Sequence, residues 1–293
     1  MAQNLRTLRR RIKSVQNIQQ ITRAMKLVAT ARLARAQERA LRGRPYFERM
    51  ERMFAELSQI APRVEHPLTK TRAEGMVLAV VISGERGLCG AFNLNVIREA
   101  LKLRQENEGR VQFVTIGVKG SAFLGARGYP VVKSWTKLPM DVPQWVMTEI
   151  GGYLKKAYER EPAEGSGEEA VKQVEIIYTR FENLARQTVR RMRLLPVAWE
   201  GGKAEAAVRQ ALFEPEPEEI LKALYPRLVD VRLGRALLES FASEQAARMV
   251  AMDQATDNAE DVIRDLTQQY NTARQESITK ELMDIVGGAE ALR

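Results

Sequence analysis

Apolar residues recur at helical spacing along both ends of the chain. Leu5, Leu8, Ile12 and Val15 step by three and four residues, which places them on one stripe of a helix. The spacing slips through Ile18 and Ile21 before resuming at Met25 and Val28, a shortened step that predicts local overwinding of a supercoil. Small residues accompany this stretch at Ala24, Ala29, Ala31, Ala34 and Ala36. Phe47, Met50, Met53, Phe54 and Leu57 keep the helical spacing past Pro45 up to Pro62, so the helix is predicted to continue with a kink. Near the other end, Val231, Gly234, Leu238, Phe241, Gln245, Arg248, Met252, Ala255, Ala259, Val262, Leu266, Gln269 and Ala273 form a seam that Ile278, Leu282, Ile285 and Val286 extend. Gly287-Gly288 is the expected stop. Met1 to Arg44 contains no proline and one glycine, and Arg235 to Val286 contains neither. As a helix the latter is a rod of roughly 78 Å, too long to cover a compact core. It calls for a partner, and the other end of the chain is the nearest.

Between these ends the period changes. Met76–Ile82 is a continuous apolar run of the buried-strand type. Leu94–Asn107 reads as helix, Val111–Gly117 as strand, Lys119–Gly125 as a short helix, Pro130–Trp135 as strand and Gln144–Arg160 as helix. After an acidic loop at Glu161–Glu169 come two more strands, Val174–Phe181 and Val189–Leu195. Such alternation predicts a mostly parallel sheet with helices on its faces, a Rossmann-like α/β domain. The expected division is a long helix over 1–60, a linker over 61–74, the α/β domain over 75–196, a linker over 197–217 and a second long helix over 218–293.

Charge sharpens this picture at one place. Of the net +9, residues 1–45 carry +11, from twelve Lys/Arg against Glu38 alone. An acidic partner is implied, whether nucleic acid, anionic lipid or a protein surface. No run of about 18 uncharged apolar residues is present to span a bilayer, and the basic start lacks a signal-peptide core, so Met1 reads as the mature start of a soluble protein. One cysteine (Cys89) and one histidine (His66) build neither a disulfide nor a usual zinc site.

The segment Gly84-Glu85-Arg86-Gly87-Leu88-Cys89-Gly90 follows the first strand, where a nucleotide fingerprint sits, but its glycine spacing is G-x-x-G-x-x-G and it lacks G-K-[ST]. A tight, close-packed turn is the expected use of these glycines, and a small buried residue that of Cys89. No acid–base pair or metal set stands out, so the chain is expected to be non-catalytic and to need no cofactor.

Several segments resemble a known family. Ser14-Val15-Gln16-Asn17, Ile21-Thr22-Arg23-Ala24-Met25, Arg86-Gly87-Leu88-Cys89-Gly90, Ser243-Glu244-Gln245-Ala246-Ala247-Arg248-Met249 and Ala255-Thr256-Asp257-Asn258 are similar to the γ subunits of F-type ATP synthases. So are Tyr270-Asn271, Ala273-Arg274-Gln275, Ser277-Ile278-Thr279 and Glu281-Leu282 near the C-terminus. The resemblance implies an antiparallel coiled coil of the terminal helices inside a ring of α and β subunits. The α/β domain is then a foot on the membrane c-ring beside ε, with one copy per complex, peripheral on the cytoplasmic side of the cell (inner) membrane. It implies coupling contacts to α and β at Met25, Arg248, Gln275, Thr279 and Glu281, and contacts of the foot with the c-ring at Phe213 and Glu214. Phe213 lacks the aromatic hydroxyl common there, and Glu85 stands where the family usually has Asp. A basic helical nucleic-acid-binding protein is the rival reading, against which the apolar stripe of the first helix argues. A dinucleotide-dependent enzyme is the third.

Overall fold

The structure, a computed structural model, describes residues 2–61, 64–161, 169–198 and 213–290. The linkers expected at 61–74 and 197–217 and the acidic loop Glu161–Glu169 fall partly outside these. In chain order the elements are α1 (Ala2–Ile60), β1 (Met76–Ile82), α2 (Phe92–Glu106), β2 (Val111–Ile116), α3 (Val118–Gly125), β3 (Val131–Trp135), α4 (Gln144–Glu159), β4 (Val171–Phe181), β5 (Gln187–Leu195) and α5 (Pro217–Glu290). They form two compact units, one of residues 1–30 with 248–293 and one of residues 31–247.

The larger unit is built on a five-stranded sheet of order β3-β2-β1-β4-β5. The first four strands run parallel and β5 closes the edge antiparallel to β4. The unbroken apolar run of β1 is explained by burial on both faces. Leu78, Val80 and Ile82 face a core shared with Ile150 and Leu154 of α4, Phe54 and Leu57 of α1, and Leu228 and Leu237 of α5. Val77, Ala79 and Val81 face a second core with Val96 and Ala100 of α2 and Leu124 of α3. The terminal helices therefore contribute to the sheet domain itself. Here α1 and α5 are joined by a bidentate ion pair, Arg232 Nε and Nη2 donating to Glu51 Oε1 and Oε2 at 2.8 and 2.9 Å, and by Phe54 edge-on to Tyr225. Pro45 and Pro226 both lie inside helix.

The smaller unit is an antiparallel helix pair, and its register corrects the sequence expectation. The inward face of α1 is Leu5, Leu8, Ile12, Val15, Gln19, Thr22, Lys26 and Ala29, an unbroken three-four repeat. The supposed slip does not occur. Ile18, Ile21 and Val28, assigned to the seam, are 50%, 58% and 51% exposed, whereas Thr22 is 8% and Ala29 1% exposed. On α5 the inward face runs through Met252, Thr256, Ala259, Ile263, Leu266, Tyr270, Ala273 and Ser277. Thr256, Ile263 and Tyr270 thus replace Ala255, Val262 and Gln269 as its centre. The helix also continues through Gly287-Gly288 to Glu290; glycine costs a helix only about 1 kcal/mol relative to alanine.

Leu266 is half-buried on this face. Leu266→Asp is expected to destabilise the pair by about 2 kcal/mol through a partly desolvated, unpaired carboxylate. Loss of helicity at lower temperature in a circular-dichroism melt checks this, and an unchanged melt would count against the pairing.

Candidate functional site

In an open α/β sheet a nucleotide binds beyond the carboxyl ends of the strands, where the strand order reverses. Here that point lies between β1 and β4, and α5 fills it. Ser243 Oγ donates to the carbonyl of Thr179 near the end of β4 at 3.0 Å. Glu244 lies so close to Gly84, the second residue after β1, that a Cβ there would meet its carboxyl carbon at 3.0 Å. The loop after β1 is held from within. Asn93 Oδ1 accepts from the amide of Gly84 at 2.7 Å, and Ser83 Oγ accepts from that of Gly120 at 2.8 Å. Glu85 Oε1 accepts from the amide of Lys137 at 2.6 Å. Cys89 is 1% exposed and lies 3.2 Å from Asn93 Nδ2. Gly90 takes a left-handed φ of 56°. The segment is an anchor for α5, and its glycines serve close approach and a turn, as the spacing suggested.

α4 fastens α5 a second time. Lys155 Nζ donates to Asp230 Oδ1 at 2.8 Å and to the Pro226 carbonyl at 3.2 Å. Burial pushes the Asp230 carboxyl above its ordinary range, against the pull of Lys155.

In the helix pair, Thr22 Oγ1 and Thr256 Oγ1 are 2.8 Å apart, and Lys26 is salt-bridged to Asp253. Counting outward from Thr22 and Thr256 sets Gln19 opposite Ala259, Val15 opposite Ile263, Ile12 opposite Leu266, Leu8 opposite Tyr270 and Leu5 opposite Ala273. α1 begins at Ala2, opposite Glu276 in this count. On the part of α5 that follows, its tip, Ile278, Leu282, Met283, Ile285 and Val286 are 49% to 69% exposed.

Of the residues singled out in the sequence, Met25 is half-buried and Arg248 is buried at 7% exposure. Gln275, Thr279 and Glu281 are exposed. Gln275 and Thr279, four apart, share a face. Glu281 is turned about 200° from Thr279 at 100° per residue and lies 3.5 Å from Ser277 Oγ. Phe213 packs partly buried against the larger core, and Glu214 next to it is exposed. Sequence reasoning missed Thr22, Lys26, Asp253, Thr256 and the Lys155–Asp230 pair. Thr22 and Thr256 stood inside recognised segments, but polar residues carry no weight in an apolar-seam search.

Among the described residues no helix is long and apolar enough to cross a membrane, and no group of three or more His, Cys, Asp or Glu is placed to hold a metal.

A family model described as ATP synthase matches residues 4–292. The ATP synthase gamma chain of Chlorobaculum parvum is 40% identical over 296 residues, covering 99% of both chains. That of Heliobacterium modesticaldum is 39% identical over 297 residues, covering 98% of this chain and 99% of its own. Among solved structures, the central stalk and c-ring of the Tetrahymena thermophila mitochondrial ATP synthase contains a chain of 26% identity. It aligns with a TM-score of 0.58 over 80% of this chain and 99% of its own. A chain of the Euglena gracilis mitochondrial ATP synthase, 19% identical, aligns with a TM-score of 0.66 over 100% of this chain and 95% of its own.

Proposed function

The chain belongs to the ATP synthase gamma chain family, and on that premise we propose that it is the central rotor stalk of an F-type ATP synthase, coupling proton-driven rotation of a c-ring to ATP synthesis on surrounding α and β subunits and running in reverse during hydrolysis. The observation that carries this reading is the outward apolar surface of the helix pair. Ile18, Ile21, Leu27 and Val28 on α1 and the five apolar residues of the α5 tip are exposed. Exposed apolar surface of this extent marks an interface, and a slender two-helix element needs a sleeve to cover it on several sides.

One such shaft facing three β subunits is necessarily asymmetric. A bound element shifts a conformational equilibrium only through contacts that differ between states, so the uneven faces hold the three catalytic sites in different states and rotation cycles them. The chain is itself non-catalytic, since chemistry at the β subunits requires of it only a changing surface. Gln275 and Thr279 engage one subunit of the ring while Glu281 engages another on the far side of the tip. Met25 lies at the edge of the exposed stripe, and Arg248 supports the shaft from inside. The basic first helix meets an acidic surface of β. The sheet domain, through the segment of Phe213 and Glu214, meets the c-ring beside ε, which makes the protein peripheral to the cytoplasmic side of the cell membrane.

Affinity purification of the tagged chain from detergent-solubilised membranes, with nuclease, is expected to recover α and β in excess over it together with ATPase activity. Recovery alone or with nucleic acid would overturn the assignment. Within the complex, Gln275→Ala and Glu281→Ala are each expected to lower ATP-driven proton pumping several-fold while the melting temperature is unchanged. Normal pumping in both would remove these residues from the coupling surface.

A further inference from the structure

A cleft of about 430 Å³ opens in the larger unit where α1, the end of β4 and α5 meet. Small-molecule sites span roughly 300 to 1,000 Å³, so its size suits a small ligand. Leu41 and Phe47 of α1, Phe181 at the end of β4 and Leu238 of α5 give it apolar walls, while Ala40 and Ala242 fill little of the space. Gly43 gives the Phe47 ring room beside its own helix, since a Cβ there would meet the ring at 3.1 Å. Leu41 is 64% exposed and belongs to neither core, so its apolar surface is open to an occupant.

The charges decide which kind of occupant fits. Three glutamates line the cleft, and each is already held by an arginine: Glu48 by Arg44 at 3.1 Å, Glu239 by Arg235 at 2.9 Å and Glu182 by Arg186 at 3.0 Å. Glu182 takes two further partners, the Thr188 hydroxyl at 2.5 Å and Arg190 at 3.9 Å. The second oxygen of Glu239 is buried in protein, out of a ligand's reach. Arg180 also lines the cleft; it is exposed and makes no ion pair among the described residues. The charge left over is therefore positive. Arg44 adds to it, because its pair with Glu48 is solvent-exposed at 64% and 58%, and such pairs hold their partners weakly. A guanidinium offers a planar fork of donors that matches carboxylate, sulfate or phosphate oxygens.

We propose that this cleft is a binding site for a small amphiphilic anion, its apolar body against Leu41, Phe47, Phe181 and Leu238 and its head held by Arg180 with Arg44. The walls come from three elements far apart in sequence, so an occupant ties α1, β4 and α5 together and stabilises the folded unit by mass action. The site shares no residue with the coupling positions or with Phe213 and Glu214, and it stands whether or not the rotor reading does.

The test is calorimetric titration of the full-length chain with n-octyl phosphate, with inorganic phosphate and 1-octanol as probes of the head and the body alone. Octyl phosphate is expected to bind saturably at one site per chain, at least tenfold more tightly than either. Arg180→Met, which keeps the apolar stem, and Leu41→Glu, which sets a like charge at the rim, should each weaken it at least tenfold. Arg180→Lys, which keeps the charge without the fork, should lose less than Arg180→Met. Both positions are exposed, so melting curves of these variants without ligand should match the parent. Absence of saturable binding, or equal affinity for octanol, would refute the site. So would binding left unchanged by both Arg180→Met and Leu41→Glu, which would place the amphiphile on apolar surface elsewhere.

Discussion

Gly117→Ala is expected to unfold the larger unit in a denaturant titration that the parent survives, at a cost of about 4 kcal/mol from backbone strain and overpacking together. Gly117 links β2 to α3 with φ at 96° and ψ at 146°, a region that residues with a side chain rarely occupy. A Cβ there would lie 2.2 Å from the carbonyl oxygen of Ser83, and that oxygen belongs to backbone that cannot move aside. Ser83 in turn fixes α3 through its hydroxyl and ends β1, so the strain propagates into the loop against which α5 rests. Gly152→Ala, in α4 with open space around its Cβ position, is the control, and should hold or slightly raise stability. Equal midpoints for the two variants would show that the approach of Gly117 to Ser83 is not a constraint.

Asp230→Ala follows with an expected loss of about 3 kcal/mol, because it strands a charge. The Lys155 side chain is only 16% exposed and that of Asp230 23%, so without the carboxylate the ammonium keeps the Pro226 carbonyl as its remaining partner in this cluster. The carboxyl already sits above its ordinary range because burial outweighs the attraction of Lys155. The pair therefore contributes little over an apolar one, while half of it is costly. Asp230→Ala combined with Lys155→Met should accordingly recover most of the loss. A double variant as unstable as the single one would assign the effect to the void beside Gly151, whose Cβ position abuts Asp230 Oδ1.

The sheet domain was legible in the sequence because its chemistry is one-sided. Strands buried on both faces must be apolar throughout, and Met76–Ile82 was readable to the residue. The alternation of such runs with helical periods then leaves little besides a mostly parallel sheet. The antiparallel edge β5 was visible only as a strand, since pairing direction leaves no mark on composition.

The helix pair was legible in kind and misread in register. Reading apolar as inward works for a helix on a core, but here the inward face is threonine, glutamine, lysine and alanine around Thr22. Isoleucine, leucine and valine at 18, 21, 27 and 28 point out. The inversion is physical: a shaft that is itself enclosed has two interfaces to satisfy, and its larger apolar residues serve the outer one. The same logic hid Val262, 44% exposed, and its inward neighbour Ile263. Of the residues given coupling roles by resemblance, Gln275, Thr279 and Glu281 are exposed on the tip, whereas Arg248 is buried, in keeping with the seam position that spacing gave it.

The most direct test of the rotor account is rotation itself. With α and β immobilised and a bead attached through Ser134→Cys on the exposed edge strand β3 in a Cys89→Ser background, the account predicts stepping in one direction under ATP, with three dwells in each turn. A complex that hydrolyses ATP while the bead remains fixed or wanders without direction would contradict it.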